Sequence, residues 1–191
     1  FACTLAAGFD RLPAFTFWAT YEAAVRGGLD VHLMDVDLLT ANIESKQDSK
    51  VPLLVVDLFG RPAAGDAPLL VTDAAQSHGT HPRGLAAVFS FYPTKNLGAA
   101  GQAGMVVTDD LVLANFIRHA ANHGETSRRF QHDTVGGNYR MDEIQAAVLR
   151  VKLPYLVGWT TARQRNAARY REMFASLSVP VEPPGHVADH V

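Results

Sequence analysis

Short apolar segments without strict alternation recur along the first two thirds of the chain. They are rich in Val, Leu and Phe and occupy positions 31–36, 51–58, 69–72, 86–92 and 105–107. Segments of this length and composition are typical of strands buried on both faces, as in a parallel sheet that helices cover. The pattern therefore predicts five strands.

Helical spacing of apolar positions characterises four further segments, at 19–26, 111–122, 142–152 and 160–177. The first ends at Gly27-Gly28, a common helix stop. The second follows Thr108-Asp109-Asp110, which can cap its start. Strands that alternate with helices predict an α/β protein with a mostly parallel sheet flanked by helices.

One connection between predicted strands is unusually short. The segment 59–68 contains two prolines and two glycines, whereas a parallel crossover normally needs a dozen or more residues and includes a helix. Either these two strands are not joined by an ordinary crossover, or a helix has been lost from this position.

Composition and charge exclude several classes of protein. The chain has 191 residues, 48% of them hydrophobic, and a formal charge of −2. This balance gives no basic field for nucleic acid, and no apolar run approaches the ~20 residues of a membrane helix. The first residues lack a signal-peptide pattern. A single cysteine, Cys3, allows no internal disulfide, so we expect a cytoplasmic location.

Groups of opposite charge follow two neighbouring predicted strands. Asp73 comes directly after 69–72, and Lys95 follows the strand that contains Ser90, ahead of a Gly-rich loop at 98–104. In doubly wound sheets, ligands bind beyond the carboxyl ends of the strands. Each signal alone has an ordinary explanation, because a lysine is usually a solvated charge, an aspartate a cap, and spaced glycines a tight loop.

Together these residue types suit pyridoxal phosphate. A lysine amine can hold this cofactor as a Schiff base, and an aspartate keeps its pyridine nitrogen protonated so that the ring accepts electrons. Serine hydroxyls and Gly-rich turns bind phosphate.

Histidines and arginines elsewhere raise further possibilities. His119 and His123 have the spacing of a ligand pair, but Ala120 stands where zinc proteases need glutamate, so we expect no metal site. His119 is interpreted as a solvated helix residue. Arg128-Arg129 is either solvated charge or a contact to a substrate diphosphate.

Six blocks of sequence resemble the DegT/DnrJ/EryC1/StrS family of sugar aminotransferases. The longest are Asp-Ala-Ala-Gln-Ser-His-Gly at 73–79, Phe-Ser-Phe-Tyr-Pro-Thr-Lys-Asn-Leu-Gly at 89–98, and Gly-Asn-Tyr-Arg-Met-Asp-Glu-Ile-Gln-Ala-Ala at 137–147. Shorter blocks lie at 13–20, 59–62 and 122–124. The resemblance implies the type I fold of pyridoxal-phosphate-dependent transferases and a homodimer with shared active sites.

The resemblance also implies a role for six residues of this chain. Lys95 resembles the catalytic, cofactor-linked lysine, Asp73 the partner of the pyridinium nitrogen, and Gln76 the residue beside the phenolic oxygen. Ser90 resembles a phosphate ligand from the same chain, and Asn138 one that reaches the neighbouring chain's phosphate. Phe17 resembles the aromatic that stacks on the ring, with Trp18 as the alternative and core packing as the ordinary explanation for either.

The function that the resemblance implies is transfer of an amino group, by family analogy from glutamate, to a keto sugar on a nucleoside diphosphate. A lysine at position 95 favours amination over the dehydration that a subset of the family performs with histidine. The resemblance divides the chain into a large cofactor-binding domain, 1–153, and a linking helix with the start of a small domain, 154–191.

Departures from the family pattern suggest a truncated or internally deleted member. A Ser-Gly-Thr phosphate-binding turn is not found at 1–6, and the segments 37–50 and 59–68 look compressed. Two alternatives therefore stay open: an inactive paralogue that acts in binding or dimerisation, and a stand-alone nucleotide-sugar-binding protein.

Overall fold

The computed structural model describes residues 9–43, 53–63 and 70–177, and within them the chain forms one mixed sheet of six strands. The sheet order is β2-β1-β3-β4-β5-β6. Neighbours from β2 to β5 pair in parallel, and β6 runs antiparallel to β5. The strands are β1 (Arg11–Pro13), β2 (His32–Met34), β3 (Leu53–Val56), β4 (Leu70–Asp73), β5 (Ala86–Ser90) and β6 (Gly104–Val107).

Four α-helices accompany the sheet within the described ranges. They are α1 (Trp18–Arg26), α2 (Leu111–Ala121), α3 (Glu143–Lys152) and α4 (Leu156–Ala175). Short 3-10 turns lie at Leu58–Gly60 and Leu153–Tyr155. No helix in the described part of the chain is long and apolar enough to cross a membrane.

Helices cover both faces of the sheet, which confirms the predicted α/β class. On one face, Leu54 and Val71 pack with Ala24 of α1 and Leu113 of α2. On the other, Phe89 packs with residues at the end of α3 and the start of α4, namely Leu149 and Leu156. Burial of these apolar side chains on both faces is the main source of stability for such a layered fold.

All five predicted strands and all four predicted helices form, with ends that differ by a few residues. Helix α4 begins at Leu156, earlier than predicted, because the 3-10 turn that contains Pro154 leads directly into it. Strand β1 was not predicted, since Arg11–Pro13 is only three residues long and contains a charge and a proline. It forms because β2 and β3 pair with it from either side.

Two of the predicted strands are not buried on both faces, so that part of the prediction is wrong. Leu33 of β2 is 56% exposed and Met105 of β6 is 46% exposed. Both strands lie at the edges of the described sheet, where the helices do not cover both of their faces.

The short connection joins strands that are parallel neighbours. Residues of β3 pair in register with those of β4, from Leu53 with Leu70 to Val56 with Asp73. The described part of the connection, 57–63, holds a 3-10 turn and no α-helix. Residues 64–69 lie outside the described residues, as do 44–50 of the compressed segment 37–50, Cys3 with the rest of 1–8, and 178–191.

The start of α2 provides a test of the predicted helix cap. The Asp110 side chain accepts hydrogen bonds from the backbone N–H groups of Val112 and Leu113, at 2.8 and 3.0 Å. We expect Asp110→Ala to lower the free energy of unfolding by about 1 kcal/mol, because two helix-end donors lose their acceptor. Urea unfolding measures the change. Asp109→Ala is the matched control, and an equal loss in both variants would contradict the assignment.

Candidate active site

The carboxyl ends of the parallel strands bring together several of the residues singled out by sequence. Asp73 is the last residue of β4, and Ser90 is the last residue of β5. Because these two strands are parallel neighbours, with Asp73 paired with Val88, both side chains lie at the same edge of the sheet. The segments that carry Gln76 and Lys95 leave the sheet at this edge.

The Asp73 carboxylate is held by neutral hydrogen-bond donors. Thr20 Oγ1, on α1, donates to its Oδ2 at 2.8 Å, and the Ala75 N–H donates to its Oδ1 at 3.1 Å. Burial raises the pKa of Asp73, and the Thr20 and Ala75 hydrogen bonds and the charge of Lys95 offset only part of this rise. A carboxylate in such surroundings is stabilised by a cationic group that binds against it.

The Lys95 segment lies close to the Asp73 segment. Asn96, next to Lys95, donates from Nδ2 to the carbonyl oxygen of Gln76 at 3.1 Å. The positive charge of Lys95 offsets part of the rise in the pKa of Asp73 and adds to the lowering of the pKa of His78 that burial causes. Lys95 itself is half-buried and takes part in no ion pair within the described ranges.

The amide of Gln76 has one end already engaged. Its Oε1 accepts a hydrogen bond from the backbone N–H of Phe59 at 2.6 Å. The NH2 end is therefore the end that can donate to an oxygen of a ligand.

A cavity of about 530 Å³ lies between α1, α2 and the sheet. Its polar lining includes Thr20, Asp73, Ser90 and Arg118, and most of the remaining wall is apolar. The structure thus brings Asp73 and Ser90 to one cavity. Lys95, Gln76 and Phe17 are not part of its wall.

The two candidate stacking aromatics lie at the surface. Phe17 directly precedes α1 and Trp18 is its first residue, and they are 72% and 66% exposed. Neither side chain therefore belongs to the core of the described chain.

Asn138 is also exposed and is not part of the cavity wall. Its Oδ1 accepts a hydrogen bond from Arg140 Nε at 3.2 Å, and its backbone pairs with Asn122. Its neighbour Tyr139, and not Asn138 itself, contributes to the wall of the cavity.

Sequence analysis missed two features of this edge of the sheet. Thr20 was noted only as the last residue of the block 13–20, although it is the hydrogen-bond donor nearest to Asp73. His78 is 2% exposed, its Nε2 lies 2.7 Å from the carbonyl oxygen of Ser90, and burial lowers its pKa. A buried neutral imidazole there fastens the Asp73 segment to the end of β5.

Among the other candidates, one interpretation is wrong. His119 is half-buried, not a solvated helix residue, and its Nε2 lies 2.5 Å from Asp133 Oδ1. Arg128 and Arg129 are exposed, and the Arg129 guanidinium lies 4.9 Å from the centre of the Phe130 ring. The described residues include no group of three or more side chains that could hold a metal ion.

A mostly parallel sheet flanked by helices, with an aspartate and a serine at neighbouring strand ends and a lysine just beyond, is the arrangement of the large domain of pyridoxal-phosphate-dependent transferases. The model of the DegT/DnrJ/EryC1/StrS aminotransferase family matches residues 12–191, and the chain belongs to this family.

Individual relatives agree with this assignment. The chain is 36% identical over 182 residues to a pleiotropic regulatory protein of Geobacillus stearothermophilus. This match covers 84% of this chain and 49% of the relative. It is 42% identical over 151 residues to a dTDP-3-amino-3,4,6-trideoxy-alpha-D-glucose transaminase of Streptomyces venezuelae. That match covers 69% of this chain and 40% of the relative. The chain thus spans about half the length of the curated relatives it matches.

A solved structure shows the same fold. The crystal structure of S. venezuelae DesV in complex with a ketimine intermediate has a TM-score of 0.81 and is 34% identical in sequence. The match covers 96% of this chain and 58% of the DesV chain.

The raised pKa of Asp73 predicts a pH-dependent stability difference. A carboxyl that binds its proton more tightly when folded makes the free energy of unfolding fall as pH rises above its ordinary pKa of 3.8. Asp73→Asn removes this titration. The free energy of unfolding of the variant relative to wild type should therefore increase from about pH 4 upward and then level off.

Urea unfolding of the dialysed protein across this pH range measures the difference. Thr20→Val serves as the comparison, because it removes a hydrogen bond that lowers the pKa of Asp73. In this variant the free energy of unfolding should continue to fall to a higher pH than in wild type. A difference between Asp73→Asn and wild type that does not change with pH would contradict the interpretation.

Proposed function

We propose that the chain is part of a pyridoxal-phosphate-dependent aminotransferase that transfers an amino group from glutamate to a keto sugar carried on a nucleoside diphosphate. The observation that carries the proposal is the half-buried Asp73 carboxylate at the end of β4, held by Thr20 and the Ala75 N–H and within electrostatic reach of the Lys95 amine. Relatives support the substrate class, because one is a dTDP-amino-sugar transaminase.

The residues present fit the cofactor. Asp73 has a hydrogen-bond donor on each carboxylate oxygen, and each oxygen keeps a lone pair for the N–H of a pyridinium ring. That cation would offset the burial that raises the pKa of Asp73. Ser90 and Gln76 would contribute donors to the phosphate and to the phenolic oxygen, and the exposed Phe17 ring would stack on the pyridine face.

Pyridoxal phosphate, when bound, supplies an aldehyde for covalent attachment and a ring that accepts electrons. The chain's own residues do the rest. Asp73 holds the proton on the ring nitrogen. The Lys95 Nζ would act as the base that removes a proton from the α-carbon of the amino donor and as the acid that returns it. The Asn96–Gln76 hydrogen bond keeps the Lys95 and Asp73 segments together during this transfer.

The division of the chain after residue 153 is part of the proposal. Of the residues in α4, only Leu156 is buried. Farther along the helix, Tyr170 and Phe174 stack at 6.0 Å between ring centres, yet Tyr170 is 58% exposed. An aromatic stripe on an exposed helix supports a role for α4 as the link to a further domain.

The catalytic assignment is tested by absorbance and borohydride reduction. Protein loaded with pyridoxal phosphate should show a visible absorbance band that glutamate removes, and borohydride should fix the cofactor on Lys95. Lys95→Ala should lose the fixed cofactor completely, because no other amine occupies this position. Lys152→Ala, at the other lysine of the described residues, is the control and should keep the fixed cofactor.

Equal labelling of wild type and Lys95→Ala would make the assignment wrong. A folded wild-type chain that takes up no cofactor would favour the inactive paralogue instead. Calorimetry with a nucleoside diphosphate sugar in the absence of pyridoxal phosphate identifies the binding-protein alternative.

The proposed homodimer has a test of its own in subunit mixing. If Asn138 serves the partner's site, Lys95→Ala and Asn138→Ala chains mixed in equal amounts will form hybrid dimers with one intact site. Random pairing places an intact site at about a quarter of all positions, so about a quarter of wild-type activity should return. Activity that stays at the level of the separate variants would contradict a shared site.

A further inference from the structure

A buried acidic residue that the proposed mechanism does not use lies beside the site. Asp57 follows β3 directly and is 1% exposed. Among the described residues it is the only carboxylate in the buried core. A charge in such a place needs a full set of partners, since an unpaired buried charge strongly destabilises a fold.

Donors from three separate segments satisfy Asp57. Ser77 Oγ donates to its Oδ2 at 2.8 Å, while the Ala63 N–H and Arg83 Nη2 donate to its Oδ1 at 2.9 and 2.7 Å. Arg83 Nη1 also donates to the carbonyl oxygen of Ala63. The cluster Asp57–Ser77–Arg83 therefore joins the segments after β3, after β4 and before β5.

The donor and the acceptor of the hydrogen bond between Phe59 and Gln76 both lie within two residues of this cluster along the chain. Ser77 is the next residue after Gln76, and Phe59, whose N–H donates to Gln76 Oε1, lies two residues after Asp57. Phe59 has a φ of 58°, in the left-handed region that a side chain rarely adopts. Such a conformation persists only where the surroundings fix it, and it concentrates at functional sites.

The ion pair also bears on the charge of the site. Asp57 is close enough to Asp73 for its negative charge to contribute to the raised pKa of Asp73. The Arg83 guanidinium, 2.7 Å from Asp57, offsets that charge. Because Arg83 balances its charge, Asp57 can anchor the segment that follows Asp73 and still repel the Asp73 carboxylate less than an unpaired aspartate would.

We propose that the cluster Asp57–Ser77–Arg83 is a positioning element that fixes the turn at Phe59 and thereby aims the Gln76 amide at the cofactor. Its members touch neither cofactor nor substrate. The inference rests on the proposed function, because it assigns Gln76 to a bound pyridoxal phosphate.

The test combines cofactor affinity with a double-mutant cycle. Ser77→Ala removes one donor to Asp57 and leaves the ion pair in place. We expect it to weaken pyridoxal phosphate binding by the dialysed 191-residue chain about tenfold, measured by absorbance titration. Ser127→Ala, at an exposed loop position, is the matched control and should bind as wild type does.

Coupling with Gln76 separates positioning from general stability. If Ser77 acts through Gln76, Ser77→Ala should add nothing to the loss caused by Gln76→Ala. Additive losses, or a Ser77→Ala variant that melts earlier yet binds pyridoxal phosphate as tightly as wild type, would overturn the inference.

A second variant covers the case in which Ser77→Ala does not fold. Arg83→Lys keeps the charge but loses the second donor of the guanidinium, and it should show the same weakening and the same lack of additivity with Gln76→Ala. An Arg83→Lys variant that binds pyridoxal phosphate as tightly as wild type overturns this inference but leaves the proposed function standing. A wild-type chain that binds no pyridoxal phosphate overturns the proposed function and this inference with it.

Discussion

The parallel register of β3, β4 and β5 is the constraint on which the candidate site depends. Side chains alternate between the two faces of a strand, so a slip of one residue would move every side chain of β4 to the opposite face. In the observed register, Val71 packs into the core beneath α1 and α2, and Asp73, two residues on, meets Thr20 on the same face. Packing of apolar side chains thus decides where the carboxylate points.

Two aspartates at this edge of the sheet are treated differently by their surroundings. Asp57 has a guanidinium and two neutral donors, so its charge is balanced within the chain. Asp73 has only neutral donors at hydrogen-bond distance, and its pKa is raised by burial. The first arrangement is that of a structural ion pair. The second leaves a preference for a positive ligand group, which is how functional carboxylates commonly differ from structural ones.

Local signals in the sequence predicted most of the elements but few of the contacts between them. Helix α2 was predicted well because its cap, Asp110, and its apolar spacing are local. The motif at 73–79 placed Asp73 at a strand end for the same reason. The bond between Thr20 and Asp73 joins positions 53 apart, and the Arg83–Asp57 pair joins positions 26 apart. Such contacts depend on strand order and register, which no local pattern contains.

The aromatic side chains around the strand ends bear on how the site is completed. Phe15 and Phe17 follow β1, Phe59 follows β3 and Tyr92 follows β5, and all four are between 44% and 72% exposed. Exposed aromatics are unremarkable singly, but several at the binding edge of one sheet are typical of a surface that a ligand or a second chain covers. Stacking on a cofactor ring can occupy only one or two of them. Under the proposal of a shared active site, a neighbouring subunit that closes over this edge would cover the remaining aromatics together with the exposed Asn138.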